Sequence, residues 1–453
     1  MHPGSQAPQH RAASDTAVSD IAPLDSVVLD IAVRLLDDFS GAGRATPDPG
    51  IPVLARLVAQ TRGPAGPGAG TGADCAAGLG AGRAAGASAE RAVEAWARSI
   101  GHGPGHCGLY DGGLAGTLVG LRLGARIHPS LHRAADRLRD HLLDQAWRRP
   151  WRTVDVGLPD YDLVGGPSGT LLALCVGTPQ PKRSQLMPFT AHLTELCDSG
   201  DLYRLRVGQY SGHPRLGWLQ GRVNTGMGHG VAGLVTALAA AVRHVGPWPE
   251  LLDALRGATR WLVRQSFDDA RSVRSWDGAG LDGPPPAGVR ARQAWCCGNP
   301  GVTWALWDAA DALGDRSLAD WAADAFTTLA ERYNEDVHLG GAPLADRLWL
   351  CHGAAGVLVV ADAFHRHARL PAAAALGSRM AEYLVRRLPA AFASPAPTSV
   401  VASAPVPAST SGEPRTSGAS RTSLLVGVPG ALSALLTVVH GAPRDWLPCL
   451  GLR

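Results

Sequence analysis

The chain has 453 residues and a formal net charge of +3; 18% of its residues are charged, 45% hydrophobic and only 6% aromatic. Charge this near neutral, with no lysine-rich stripe and no aromatic platform, argues against a nucleic-acid partner. Eight cysteines in a chain of this length do not make a disulfide scaffold, and a reducing compartment would favour metal binding instead.

In chain order, residues 1–26 read as a disordered tail. Met1 to Asp20 is polar and has no apolar stretch of the kind an export signal carries. Residues 27–453 read as one all-α domain, broken by low-complexity loops at 63–86 and 394–423, where large apolar residues are scarce. The stretch 181–222 shows no helical period, and Tyr203-Arg-Leu-Arg-Val207 partly alternates, so a small strand-bearing insertion is expected there. The longest apolar runs, such as Val231 to Val242, fall short of the roughly 20 residues that span a bilayer. A cytoplasmic protein is expected.

An internal repeat organises the domain. Gly113-Leu-Ala-Gly116, Gly166-Pro-Ser-Gly169, Gly230-Val-Ala-Gly233, Gly298-Asn-Pro-Gly301, Gly353-Ala-Ala-Gly356 and Gly427-Val-Pro-Gly430 recur roughly 50 to 75 residues apart. Each opens an Ala/Leu/Val-rich helix, and a longer amphipathic helix follows. In the clearest unit, Val231 to Val242 is apolar on nearly all sides, whereas Pro249 to Gln265 places Leu251, Leu252, Leu255, Trp261 and Leu262 near a 3.6-residue period. The same pattern runs from Val302 through Tyr333 and from Val357 through Leu388. All-round apolar helices belong inside and amphipathic ones outside, which two concentric rings satisfy.

The chemistry sits in the turns. Cys296 and Cys351 stand two residues before the first Gly of their units, and His229, Cys297 and His352 stand one before. Equivalent positions in a ring face a common axis, so these side chains should converge at one mouth. Two thiolates and an imidazole suit Zn(2+), and a fourth, open position marks catalysis rather than structure. Register alone leaves Cys297 as an alternative to Cys296. Cys75, Cys107, Cys175, Cys197 and Cys449 read as small core hydrophobes. His102 and His106 lie in a Gly/Pro loop that fixes no ligand geometry.

The motifs Leu109-Tyr110-Asp111-Gly112-Gly113, Tyr161-Asp162-Leu163-Val164-Gly165-Gly166-Pro167-Ser168-Gly169, Gly228-His229-Gly230, Trp295-Cys296-Cys297-Gly298-Asn299-Pro300-Gly301 and Cys351-His352-Gly353 together resemble those of the lanthionine synthetase C family, the lanthipeptide cyclases. The resemblance implies an α/α toroid of about seven helical pairs, with the seventh drawn from Val27 to Ile100. It implies Cys296, Cys351 and His352 as zinc ligands, His229 and Asp162 as the proton-handling pair, and Arg292 and Trp295 as catalytic support. Cys297 departs from the pattern by replacing an aromatic residue.

The implied reaction adds precursor-peptide cysteines to dehydroalanine or dehydrobutyrine, giving thioether rings. A stand-alone cyclase is expected, since no kinase-like or lyase-like sequence precedes the toroid. A separate dehydratase, an exporter and association with a membrane-bound biosynthetic complex would follow. The alternatives are a family member that adds glutathione to dehydroamino acids, a zinc- and thiol-binding toroid scaffold, or a different toroid enzyme. A toroidal glycosidase would need a carboxylate pair at the axis, for which the turns supply mainly Asp162 and Asp111.

Overall fold

In the computed structural model, residues 22–41, 47–61, 73–101, 105–148, 150–280, 292–393 and 422–453 are described. Among them, seven short helices form an inner ring: α2 (Gly50–Val58), α4 (Leu114–Gly124), α6 (Pro167–Cys175), α8 (Val231–Val245), α10 (Asn299–Leu313), α14 (Ala354–Ala368) and α16 (Val428–Val438). Each packs on the next, and α16 packs back on α2, so the ring closes. Nearly every residue of these helices is buried, as their all-round apolar sequences require.

The outer ring consists of α3 (Ala73–Arg98) on α2, α5 (His132–Arg148) on α4, α7 (Arg183–Leu196) on α6, α9 (Pro249–Arg264) on α8, α11 (Arg316–Arg332) on α10 and α15 (Pro371–Ala393) on α14. The outer partner of α16 is α1 (Ala22–Gly41), the first helix of the chain. The seventh pair expected from Val27 to Ile100 is therefore present as α2 with α3, and α1, from the same N-terminal segment, completes the last unit. Two short helices, α12 (Glu335–His338) and α13 (Leu344–Leu348), lie between α11 and α14.

The second glycine of each repeat sets how closely the turns approach. A Cβ added at Gly301 would lie 2.0 Å from the carbonyl oxygen of Trp295, and at Gly356 2.0 Å from that of Leu350. The equivalent contact recurs at Gly116, Gly169, Gly233 and Gly430. Backbone cannot yield by that much, so these positions admit only hydrogen as a side chain.

The strand-bearing insertion expected at 181–222 is not there. Residues 183–196 form α7, burying Leu186, Phe189, Leu193 and Leu196 on one face. Pro188 inside the helix and the polar residues around it hid that period. Val207 makes only an isolated bridge with Val156. The described strands are β1 (Phe267–Asp268) and β2 (Arg274–Ser275), an antiparallel pair after α9 in the register Phe267 with Ser275 and Asp268 with Arg274. The tail expected at 1–26 must be shortened, because α1 begins at Ala22; residues 1–21 lie outside the described residues. The loop expected at 63–86 is helical from Ala73 onward, while most of 394–423 lies outside the described residues.

Candidate metal centre

Backbone hydrogen bonds stitch the repeat turns together around one mouth of the ring. Leu163 N–H donates to Gly228 O, Gly228 N–H to Cys296 O, Cys296 N–H to Cys351 O, and Cys351 N–H to Leu425 O. Asp48 makes the closing link: its Oδ1 accepts from Leu424 N at 2.7 Å and from Gly50 N at 2.9 Å, and its Oδ2 accepts from Ser423 Oγ. Residues far apart in sequence are thereby held in one rim.

On that rim the donor atoms of Cys296, Cys351 and His352 all lie within 4.8 Å of one another. Cys351 Sγ is 3.5 Å from His352 Nε2. With zinc bonds of about 2.3 Å to sulfur and about 2.0 Å to nitrogen, tetrahedral ligand atoms stand about 3.5 to 3.8 Å apart. The set of two soft sulfurs and one imidazole therefore fits zinc in chemistry, and the Cys351–His352 distance matches that spacing. Cys297 Sγ lies 3.7 Å from Cys296 Sγ, beside the cluster.

The Cys296 and Cys297 thiols resist ionising on their own. Its hydrogen bond to Cys296, then burial and the Cys296 charge, push the Cys297 thiol well above its usual range. At Cys296 the hydrogen bond from Cys297 pulls the other way, but Cys351 and burial outweigh it and the thiol ends up raised. Burial opposes a charge on His352, yet the neighbouring Cys296 outweighs it and raises the imidazole. Several protons thus crowd a site that a divalent cation would empty, so metal affinity should fall as pH falls.

Across the rim, His229 Nδ1 is 2.5 Å from Asp162 Oδ2. The carboxylate side chain is 3% exposed and the imidazole 30%. Asp162 Oδ1 accepts from Gly165 N at 2.8 Å, so the residue both caps its own turn and holds His229. Burial works against protonating His229, and Asp162 overcomes it, so the imidazole is raised above its ordinary value. Nδ1–H is committed to Asp162, which leaves Nε2 as the ring nitrogen available for chemistry.

Arg292 is exposed and, with His352, Arg271, His338, Asp346 and Arg347, lines a cavity of about 480 Å³. Asp346, His338 and the other arginines carry no motif signal. Asp346 is 7% exposed, and neither its Oδ1 nor His338 Nε2 has a hydrogen-bond partner among the described residues.

Trp295 lies elsewhere than among reacting groups: it is fully buried, and its indole N–H donates to Leu450 O at 3.0 Å. Tyr110 Oη donates to Cys449 O and Trp304 Nε1 to Gly451 O. Three consecutive carbonyls of the C-terminal segment thus anchor three aromatic residues of the inner ring, and Trp295 supports the Cys296 turn from within the core. The resemblance implied Trp295 as support for the site; the carbonyl that anchors it is a main-chain acceptor, which leaves no mark in a sequence.

Cys175, Cys197 and Cys449 are buried free thiols. Burial pushes Cys175 and Cys197 up to about 12, as expected of inert core residues. His106 Nδ1 accepts from Gly108 N within its own turn, and His102 lies outside the described residues.

A closed double ring of helices with a two-thiol, one-imidazole cluster and a histidine–carboxylate pair on the same rim defines an α/α toroid with a candidate metal centre. A sequence model described as lanthionine synthetase C-like protein matches residues 88–450, so the chain belongs to that family. The solved structure of a protein named nisin cyclase is similar at a TM-score of 0.66 and 18% identity, covering 95% of this chain and 96% of that one. At that identity the likeness shows the fold, a helical toroid. No curated protein sequence matches the chain.

Proposed function

We propose that the chain is a zinc-dependent lanthipeptide cyclase. The observation that carries this reading is the convergence of Cys296, Cys351 and His352 on the rim that also holds the His229–Asp162 pair. A scaffold that only bound metal would have no use there for an imidazole paired with a buried carboxylate. The substrate would be a precursor peptide carrying free cysteines and dehydroalanine or dehydrobutyrine, supplied by a separate dehydrating activity. An exporter and a cytoplasmic site of action belong to the same reading; among the described residues no helix is long and apolar enough to cross a membrane.

Cys296, Cys351 and His352 would hold the zinc ion, which when bound lowers the pKa of a substrate thiol from near 8.5 and leaves it as thiolate at neutral pH. The thiolate sulfur adds to the β-carbon of the dehydro residue, forming the C–S bond and moving the electron pair onto the α-carbon and its carbonyl. His229 Nε2–H then delivers a proton to the α-carbon, while Asp162 fixes the ring through Nδ1–H and stabilises its charged form; the proton given up by the substrate thiol restores Nε2–H, so no net proton is gained or lost. Arg292, on the cavity beside His352, offers a cation to the developing negative charge or to the peptide's carbonyls.

Separate roles for ligand and acid predict separate losses. His229→Asn should slow ring formation by about 10²- to 10⁴-fold, the usual contribution of a general acid or base, and keep its zinc. Cys351→Ala should lose zinc and activity together. Elemental analysis alongside a cyclisation assay checks both; loss of zinc from a folded His229→Asn protein would overturn the assignment.

A further inference from the structure

Cys297 has no task in the reading above, yet it stands at the rim. It directly precedes the first glycine of its turn, the position His229 and His352 occupy in theirs, and both of those side chains present a nitrogen at the mouth. Its Sγ is 3.7 Å from Cys296 Sγ. Two sulfurs on one tetrahedral zinc ion stand about 3.8 Å apart, given bonds of about 2.3 Å. Cys297 is only partly buried, and it lies within electrostatic reach of His352 and Arg292. Only Cys296, Cys351 and His352 converge within 4.8 Å among the described residues, so Cys297 sits at one edge of the cluster rather than inside it.

We propose that Cys297 is an exchangeable fourth ligand, which closes the metal site in the resting protein and gives up its place to the substrate cysteine. The proposal rests on the cyclase reading. On exchange, the bond between the metal and Cys297 sulfur breaks as the bond to the substrate sulfur forms, and the proton released by the incoming thiol passes to Cys297. The total of thiolates on the metal and of bound protons is unchanged. An internal thiol competes at a high effective concentration, so stray small thiols would be shut out, whereas a peptide also held in the cavity beside His352 could displace it.

Cobalt(II) substitution tests this without a cyclisation assay, because sulfur-to-cobalt charge-transfer absorption grows with the number of thiolates bound. The wild type should show three thiolates. Cys297→Ala and the near-isosteric Cys297→Ser should show two, so the band falls by about one third. Adding N-acetylcysteine methylamide should restore the band in the two variants and leave the wild type nearly unchanged. Equal band intensity in the wild type and both folded variants would overturn the proposal while leaving the three-ligand site intact. If Cys351→Ala bound cobalt with an unaltered spectrum, the metal site itself would be refuted, which separates the two failures.

Discussion

At the scale of single residues, the site depends on two buried carboxylates with opposite functions. Asp162 holds a proton on His229, whose raised pKa keeps the imidazole charged at higher pH than an ordinary histidine. A group of this kind contributes stability below its unfolded value near 6.5 that is lost as pH rises through the folded value, and its capacity as an acid is lost over the same interval. Asp162→Asn should therefore move the alkaline limb of the cyclisation rate to lower pH; an unmoved limb in a pH–rate profile would separate the rate from this pair. Asp48 is the reverse case, since burial pushes its carboxyl up from 3.8 to about 6 although three hydrogen bonds pull it down. Keeping it charged at neutral pH costs about 3 kcal/mol. That cost is absent below the unfolded value and develops as pH rises toward the folded one. Asp48→Asn, which keeps the acceptor for Leu424 and Gly50, should gain stability over the wild type at pH 7 but not at pH 4 or below. Asp48→Ala leaves two buried N–H groups unpaired at about 1 to 3 kcal/mol each. Urea unfolding at the two pH values distinguishes these outcomes.

Single elements were legible in the sequence where a local pattern carried them. Six of the seven inner helices announce themselves by Gly-x-x-G before an apolar run, and the ligands are adjacent to those glycines. The seventh, α2, carries no such turn and starts at Gly50, where an added Cβ would lie 2.4 Å from Thr422 O. Helix α7 was missed because Pro188 and polar neighbours blur the spacing of Leu186, Phe189 and Leu193. Filling one of these glycine positions should have a sharp effect. In Gly301→Ala the new methyl would meet the Trp295 carbonyl and displace the Cys296 turn. A loss of about 2 to 4 kcal/mol is expected, with weaker metal binding in the molecules that still fold. A Gly314→Ala control at the solvent end of α10, where an added Cβ meets nothing within 4 Å, should pay only for its positive φ.

For the whole molecule, closure was the least legible feature. The last inner helix receives its outer partner from α1, nearly the length of the chain away, and Asp48 ties the first and last turns together. No local period encodes such a pairing. The same holds for the C-terminal segment, where Arg453 reaches Asp308 at 2.8 Å and the carbonyls of Cys449, Leu450 and Gly451 anchor the inner-ring aromatics. Ring, rim and C-terminal anchor together turn side chains scattered over some 190 residues of sequence, from Asp162 to His352, into one site. A site so assembled should make thioethers. The most direct test incubates the zinc-loaded protein with a peptide bearing a dehydroalanine and a downstream cysteine, then counts free thiols by alkylation and mass spectrometry. The thiol should disappear with the wild type and persist far longer with His229→Asn. A thiol that stays free with the zinc-loaded wild type, across peptides of varied ring size, would contradict it.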